Sequence, residues 1–102
     1  MKSYCLTRAA EDDLFEIWSF IASDNVTEAD RLEADLLNAC QRVADRPDIG
    51  HFRRDLTDKP VRFLLVRSTY LIVYDPATEP LQVIRVLHGA LDAAAQLQHK
   101  PG

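Results

Sequence analysis

At 102 residues the chain has room for one domain with one hydrophobic core, well below the length at which chains divide. An apolar share of 47% with 27% charged residues excludes a disordered segment, and no apolar run approaches the roughly 20 residues of a bilayer-spanning helix. The net charge of −4, from 12 Lys and Arg against 16 Asp and Glu, argues against a dedicated nucleic-acid binder, whose phosphate contacts require a clustered cationic surface.

Lys2 turns the N-terminus charged before a signal-peptide core can form, so a cytoplasmic protein is expected. Cys5 and Cys40 lie in apolar settings with no CxxC, no paired His and no metal-ligand spacing. Both read as buried free thiols in a reducing compartment, with neither metal nor cofactor implied.

Tyr4-Cys5-Leu6 reads as a short strand. Thr7 then stands as the N-cap of a helix over 8–22, with Glu11, Asp12 and Asp13 near its positive end. Ala10, Leu14, Ile17, Trp18 and Ile21 recur at spacings of three and four and line one stripe, while Asp13, Glu16 and Ser19 are expected to point elsewhere. Trp18 is expected to help fix the helices on a sheet.

Ser23-Asp24-Asn25 breaks the pattern, and Thr27 is expected to cap a second helix over 28–45 with the stripe Ala29, Leu32, Leu36, Ala39, Cys40 and Val43. So short a connection implies an antiparallel helical hairpin. Residues 47–60 follow neither the helical nor the strand period and form the longest loop, where compact domains often carry function.

From Val61 the composition turns to β-branched and aromatic residues, and strands are expected over 61–66, 69–74 and 81–87. Arg67-Ser68 and residues 75–80 are short enough to be hairpin connections, which predicts an antiparallel meander. Residues 90–98 read as a short helix. The order β-α-α-β-β-β predicts an α+β domain, a helical hairpin on one face of an antiparallel sheet, with the other face open to a partner.

Arg85 lies inside an otherwise apolar strand. Strict alternation groups it with Val83 and Leu87, opposite Ile84 and Val86, and so on the open face if Ile84 and Val86 pack under the helices. The competing reading is a structural ion pair with one of the many carboxylates. His88, at the strand end, is either a hydrogen-bonded structural histidine or a proton carrier. Arg53 and Arg54 read as solvated charges neutralised by Asp55 and Asp58. Trp18, Phe63, Tyr70 and Tyr74 sit at spacings that helix or strand burial already satisfies.

Four runs carry a resemblance: Leu6-Thr7-Arg8-Ala9-Ala10-Glu11-Asp12-Asp13-Leu14-Phe15-Glu16-Ile17-Trp18, Asp45-Arg46-Pro47-Asp48-Ile49-Gly50, Tyr70-Leu71-Ile72-Val73-Tyr74 and Ile84-Arg85-Val86-Leu87-His88-Gly89-Ala90-Leu91-Asp92. In their order and spacing the chain resembles the ParE/RelE superfamily of bacterial toxins, from Tyr4 to about Ala93. The ParE-like branch implies a type II toxin, associated with plasmid stabilization, that inhibits DNA gyrase by contact rather than catalysis and causes growth arrest. It also implies a ParD-like antitoxin that is disordered when free, folds onto the toxin and holds it in a hetero-oligomer.

The RelE-like branch implies instead a ribosome-dependent mRNA endonuclease, for which Arg85, His88, Arg62 and Tyr74 would form the catalytic set. A third reading is an inactive member that only binds its antitoxin. The acidic balance, and a lysine count of three (Lys2, Lys59, Lys100), favour the ParE-like branch. On that reading the partner-binding candidates are Trp18, Arg62, Arg67, Tyr70, Arg85 and His88, with no contact to membrane or nucleic acid expected.

Overall fold

The structure, a computed structural model, describes residues 2–89. Strand β1 (Tyr4–Leu6) leads into helices α1 (Arg8–Ala22) and α2 (Val26–Asp45), and then into strands β2 (Arg62–Val66), β3 (Tyr70–Asp75) and β4 (Leu81–His88). The element order is the expected one. The short helix expected over 90–98 lies outside the described residues.

The four strands form one sheet in the order β1-β4-β3-β2. β2, β3 and β4 make the expected antiparallel meander, but β1 joins β4 in parallel, with Tyr4 beside Leu81 and Leu6 beside Val83. The sheet is therefore mixed. Parallel neighbours need a long crossover, which both helices and the meander supply here. Residues 67–69 connect β2 to β3, and Arg67 and Ser68, at φ 54° and 56°, take the doubly left-handed conformation in a turn closed by the Thr69 N–H donating to the Val66 carbonyl at 3.1 Å.

Both helices are capped by side chains. The Thr7 hydroxyl accepts from the Ala10 N–H at 3.1 Å and donates to the Ile84 carbonyl at 2.7 Å, so one group starts α1 and ties it to β4. α2 begins two residues earlier than expected because Asn25, not Thr27, is its cap: the Asn25 side-chain Oδ1 accepts from the Glu28 N–H at 3.0 Å. Asparagine stands above threonine as a capping residue, and Asn25 has the extended backbone a cap requires.

Every residue of the expected α2 stripe is buried, as are Ala10 and Leu14 of α1; Ile17 and Ile21 pack partly buried against the same core. These meet Val66, Tyr70, Ile72, Tyr74, Leu81, Val83 and Val86 on the helix side of the sheet. Fully burying a side chain such as Leu36 or Val43 stabilises by about 1.5–3 kcal/mol. Trp18 ties α1 to α2 rather than to the sheet, its indole N–H donating to Asp30 at 2.9 Å.

The opposite face is not the bare surface that alternation suggests. Leu71, Val73 and Leu87 are buried there with Phe63, Val61 and Leu56, the last reaching in from the long loop. The loop is also held at its start. The Tyr74 hydroxyl accepts from the Gly50 N–H at 2.9 Å and donates to the Pro47 carbonyl at 2.7 Å, and His51 bridges Phe63 through both backbone groups. Cys40 is buried as expected. Cys5 is exposed, because a three-residue strand shows one of its faces to solvent.

Candidate functional site

β1 ends after Leu6, so the outer edge of β4 beyond Val83 has no strand beside it. A buried backbone donor there needs a partner, and α1 supplies one. The Asp13 carboxylate accepts from the Val86 N–H at 3.0 Å and from Arg85 through Nε at 2.7 Å and Nη2 at 2.8 Å. Asp13, expected to face away from the core, is 8% exposed for this reason. Two-point pairing by a guanidinium fork adds geometric specificity to the attraction.

A bulge completes the arrangement. Val73 pairs with Arg85 but Tyr74 pairs with Val83, so Ile84 is an extra residue. Val83 and Val86 then join the helix-side core while Ile84 and Leu87 join the opposite cluster. Strict alternation therefore fails at Val83 and Ile84, while Arg85, paired with Val73, keeps the face of Leu87 as expected. From the open edge of β4 its guanidinium meets Asp13 of α1 in the structural ion pair that was the alternative reading.

Beside this pair lies an open cleft of about 320 Å3 between α1 and the end of β4. Ile17, Phe20 and Ile21 form an apolar wall, and Arg85, His88 and Tyr70 line the other side. Tyr70 and His88, opposite each other in the β3–β4 ladder, meet edge to face with centroids 5.1 Å apart. The volume is at the lower end of ligand sites and suits a few side chains of a bound segment.

The cleft gathers Tyr70, Arg85 and His88 of the predicted partner-binding set, and the others lie elsewhere. Arg67 donates to Glu28 and to Asp35, both at 2.7 Å, and pins the β2–β3 turn to α2. Trp18 belongs to the α1–α2 contact. Arg62 lies with its guanidinium 4.3 Å from the centre of the Phe52 ring and donates to the Gly50 carbonyl at 2.7 Å. Arg53 pairs with Asp55 as expected, but Arg54 reaches only the Asp58 backbone carbonyl, at 3.5 Å, and also stacks on Phe52. Phe52, exposed in this cluster, was not legible as a site residue; an aromatic among arginines is the signal that could have found it.

Nor do the four residues that a RelE-like nuclease would use converge. Tyr74 is fully buried, with its hydroxyl used once as acceptor and once as donor and its pKa raised by burial. Arg85 faces Asp13, Arg62 faces Phe52, and His88 stands at the cleft rim against Tyr70. Among the described residues no three His, Cys, Asp or Glu side chains are grouped as metal ligands, and no helix is long and apolar enough to cross a membrane.

The family model described as "ParE toxin of type II toxin-antitoxin system, parDE" matches residues 4–93. The chain belongs to the ParE toxin family. It is also similar in structure to a solved chain titled "Chromosomal ParDE TA system from P. aeruginosa", at 20% identity and a TM-score of 0.67, over 84% of this chain and 94% of that one. At that identity the likeness shows the fold alone. No curated protein matches in sequence. The match places the α1–β4 cleft and the Phe52 cluster on a ParE-type fold, within a type II toxin.

Proposed function

We propose that this ParE-family toxin inhibits DNA gyrase through protein contact, and that a ParD-like antitoxin neutralises it by folding onto its surface. The observation that carries the reading is the family match over residues 4–93. The geometry favours binding over RelE-like cleavage. A base, an acid and a phosphate clamp must converge on one reacting group within hydrogen-bond reach, whereas Tyr74, Arg85, Arg62 and His88 are each turned to a different neighbour.

A segment that folds on binding needs apolar surface and unpaired backbone to receive it. Phe15, Phe20 and Val26 on the helical hairpin are more than half exposed, and Leu65 is exposed on β2, the outermost strand of the meander. These are the surfaces proposed for the antitoxin.

The test is a pulse-labelling time course after induction of the chain without its antitoxin. DNA synthesis is expected to fall before protein synthesis, with signs of DNA damage. An earlier fall in protein synthesis would favour the nuclease, and no effect on either would indicate an inactive, antitoxin-binding member.

A further inference from the structure

The Phe52 cluster is used by neither the fold's ion pairs nor the surfaces proposed above. Phe52 is 43% exposed, with Arg62 at 4.3 Å and Arg54 at 5.4 Å from its ring centre. One ring thus holds two cations as neighbours, attracted by its negative faces.

Among the described residues neither guanidinium has a carboxylate in ion-pair range, in contrast to Arg53, which faces Asp55, and Arg67, which faces Glu28 and Asp35. Arg62 is further positioned by the Gly50 carbonyl, which leaves it pre-oriented without neutralising it. Two like charges held against one partly exposed aromatic ring are complementary to an anion next to an apolar group. Guanidinium forks recognise carboxylates in two-point geometry.

The charge distribution selects the class of partner. α1 and α2 carry nine carboxylates against three arginines, whereas residues 51–62 carry four Lys and Arg against two Asp. A long polyanion would meet the field of the acidic helices. A short acidic stretch of polypeptide would not extend beyond the basic end.

We infer that Phe52, Arg54 and Arg62 form a docking site for an acidic peptide segment of a partner protein, with one or two carboxylates on the arginines and an apolar side chain on the phenyl ring. The site opens β2, separated by β3 from the α1–β4 cleft, so it can be occupied while that cleft is also filled.

The test titrates the folded full-length chain with a labelled Glu-Glu-Leu-Glu-Glu peptide, its all-lysine counterpart and a short single-stranded oligonucleotide, following anisotropy and the arginine Nε resonances. The acidic peptide should bind, shift the Arg54 and Arg62 signals, and lose affinity as salt rises. Arg54→Gln and Phe52→Ala should each weaken it about tenfold, while Arg53→Gln should stay within about twofold because Arg53 already has its carboxylate. Circular dichroism and a urea midpoint verify that each variant is folded. No binding, binding unaffected by Arg54→Gln, or tighter binding of the oligonucleotide would each overturn the assignment. The assay needs neither toxicity nor gyrase, so its failure leaves the proposed target untouched.

Discussion

Asp13 and Arg85 lie 72 positions apart in the chain, and their paired side chains hold α1 against β4 while the same carboxylate accepts from the Val86 N–H. Removing the carboxylate takes the two-point partner from a partly buried guanidinium and leaves the buried Val86 N–H unsatisfied. Asp13→Ala should cost about 3 kcal/mol in urea unfolding. The double variant Asp13→Leu/Arg85→Met, which replaces both charges by apolar groups, should be more stable than Asp13→Ala alone. A double variant no better than the single one would mean that the Arg85 charge is not the source of the loss.

Gly50 is required by close approach. A Cβ there would clash with the Tyr74 hydroxyl and stand 2.9 Å from the Phe63 carbonyl, both belonging to strands that cannot retreat. Gly50→Ala should therefore destabilise by about 2 kcal/mol. Tyr74→Phe alone should cost about 1–2 kcal/mol for the two lost hydrogen bonds. In the double variant the losses should add to less than their sum, because the clash is with the atom removed; a thermal-denaturation cycle measures this.

Burial pushes the Cys40 thiol up from 9.0 to about 12, and the Tyr4 and Tyr74 hydroxyls are raised in the same direction. The unfolded chain ionises these groups first, so their contribution is fully present below the ordinary thiol value. It is lost as pH rises from about 9 towards 12. Unfolding free energy should decline across that range, less steeply in Cys40→Ala. A thiol reagent at pH 8 should modify exposed Cys5 in the native protein and Cys40 only after denaturation.

Ser68 holds a left-handed backbone, φ 56°, that a side chain disfavours. Ser68→Gly should stabilise the β2–β3 turn by about 0.5 kcal/mol, seen as a raised melting temperature. A lowered one would show that the entropy lost by glycine outweighs the relief.

What was legible in the sequence was whatever has a period or a cap. The bounds of α1 follow from Thr7 and the stripe through Ala10 and Leu14, and the meander follows from short β-branched runs with two-residue or turn-rich connections. What was not legible depends on contacts between distant parts of the chain. The parallel seat of β1 is decided by β4 nearly 80 residues on. The extra residue at Ile84 breaks the alternation that grouped Val83 with Arg85 and Leu87. Asp13 looked like one more charge near a helix start, and only the unpaired edge beyond Leu6 gives it a buried purpose. Tyr70 and Tyr74 were correctly read as core, but Tyr74's grip on the long loop, like Phe52's contact with two arginines, depends on how that loop folds back.

The two sides of the sheet end differently, and this bears on how copies could join. Along β4 the backbone of β1, the Thr7 hydroxyl and the Asp13 carboxylate occupy the outward groups in turn as far as Val86. Along β2, His51 takes those of Phe63, and by alternation the groups of Leu65 face the same outer side. The receptive part of the β2 margin is therefore short, beginning beyond Phe63, and a strand added there by a second copy or a partner finds only the groups near Leu65 to pair with.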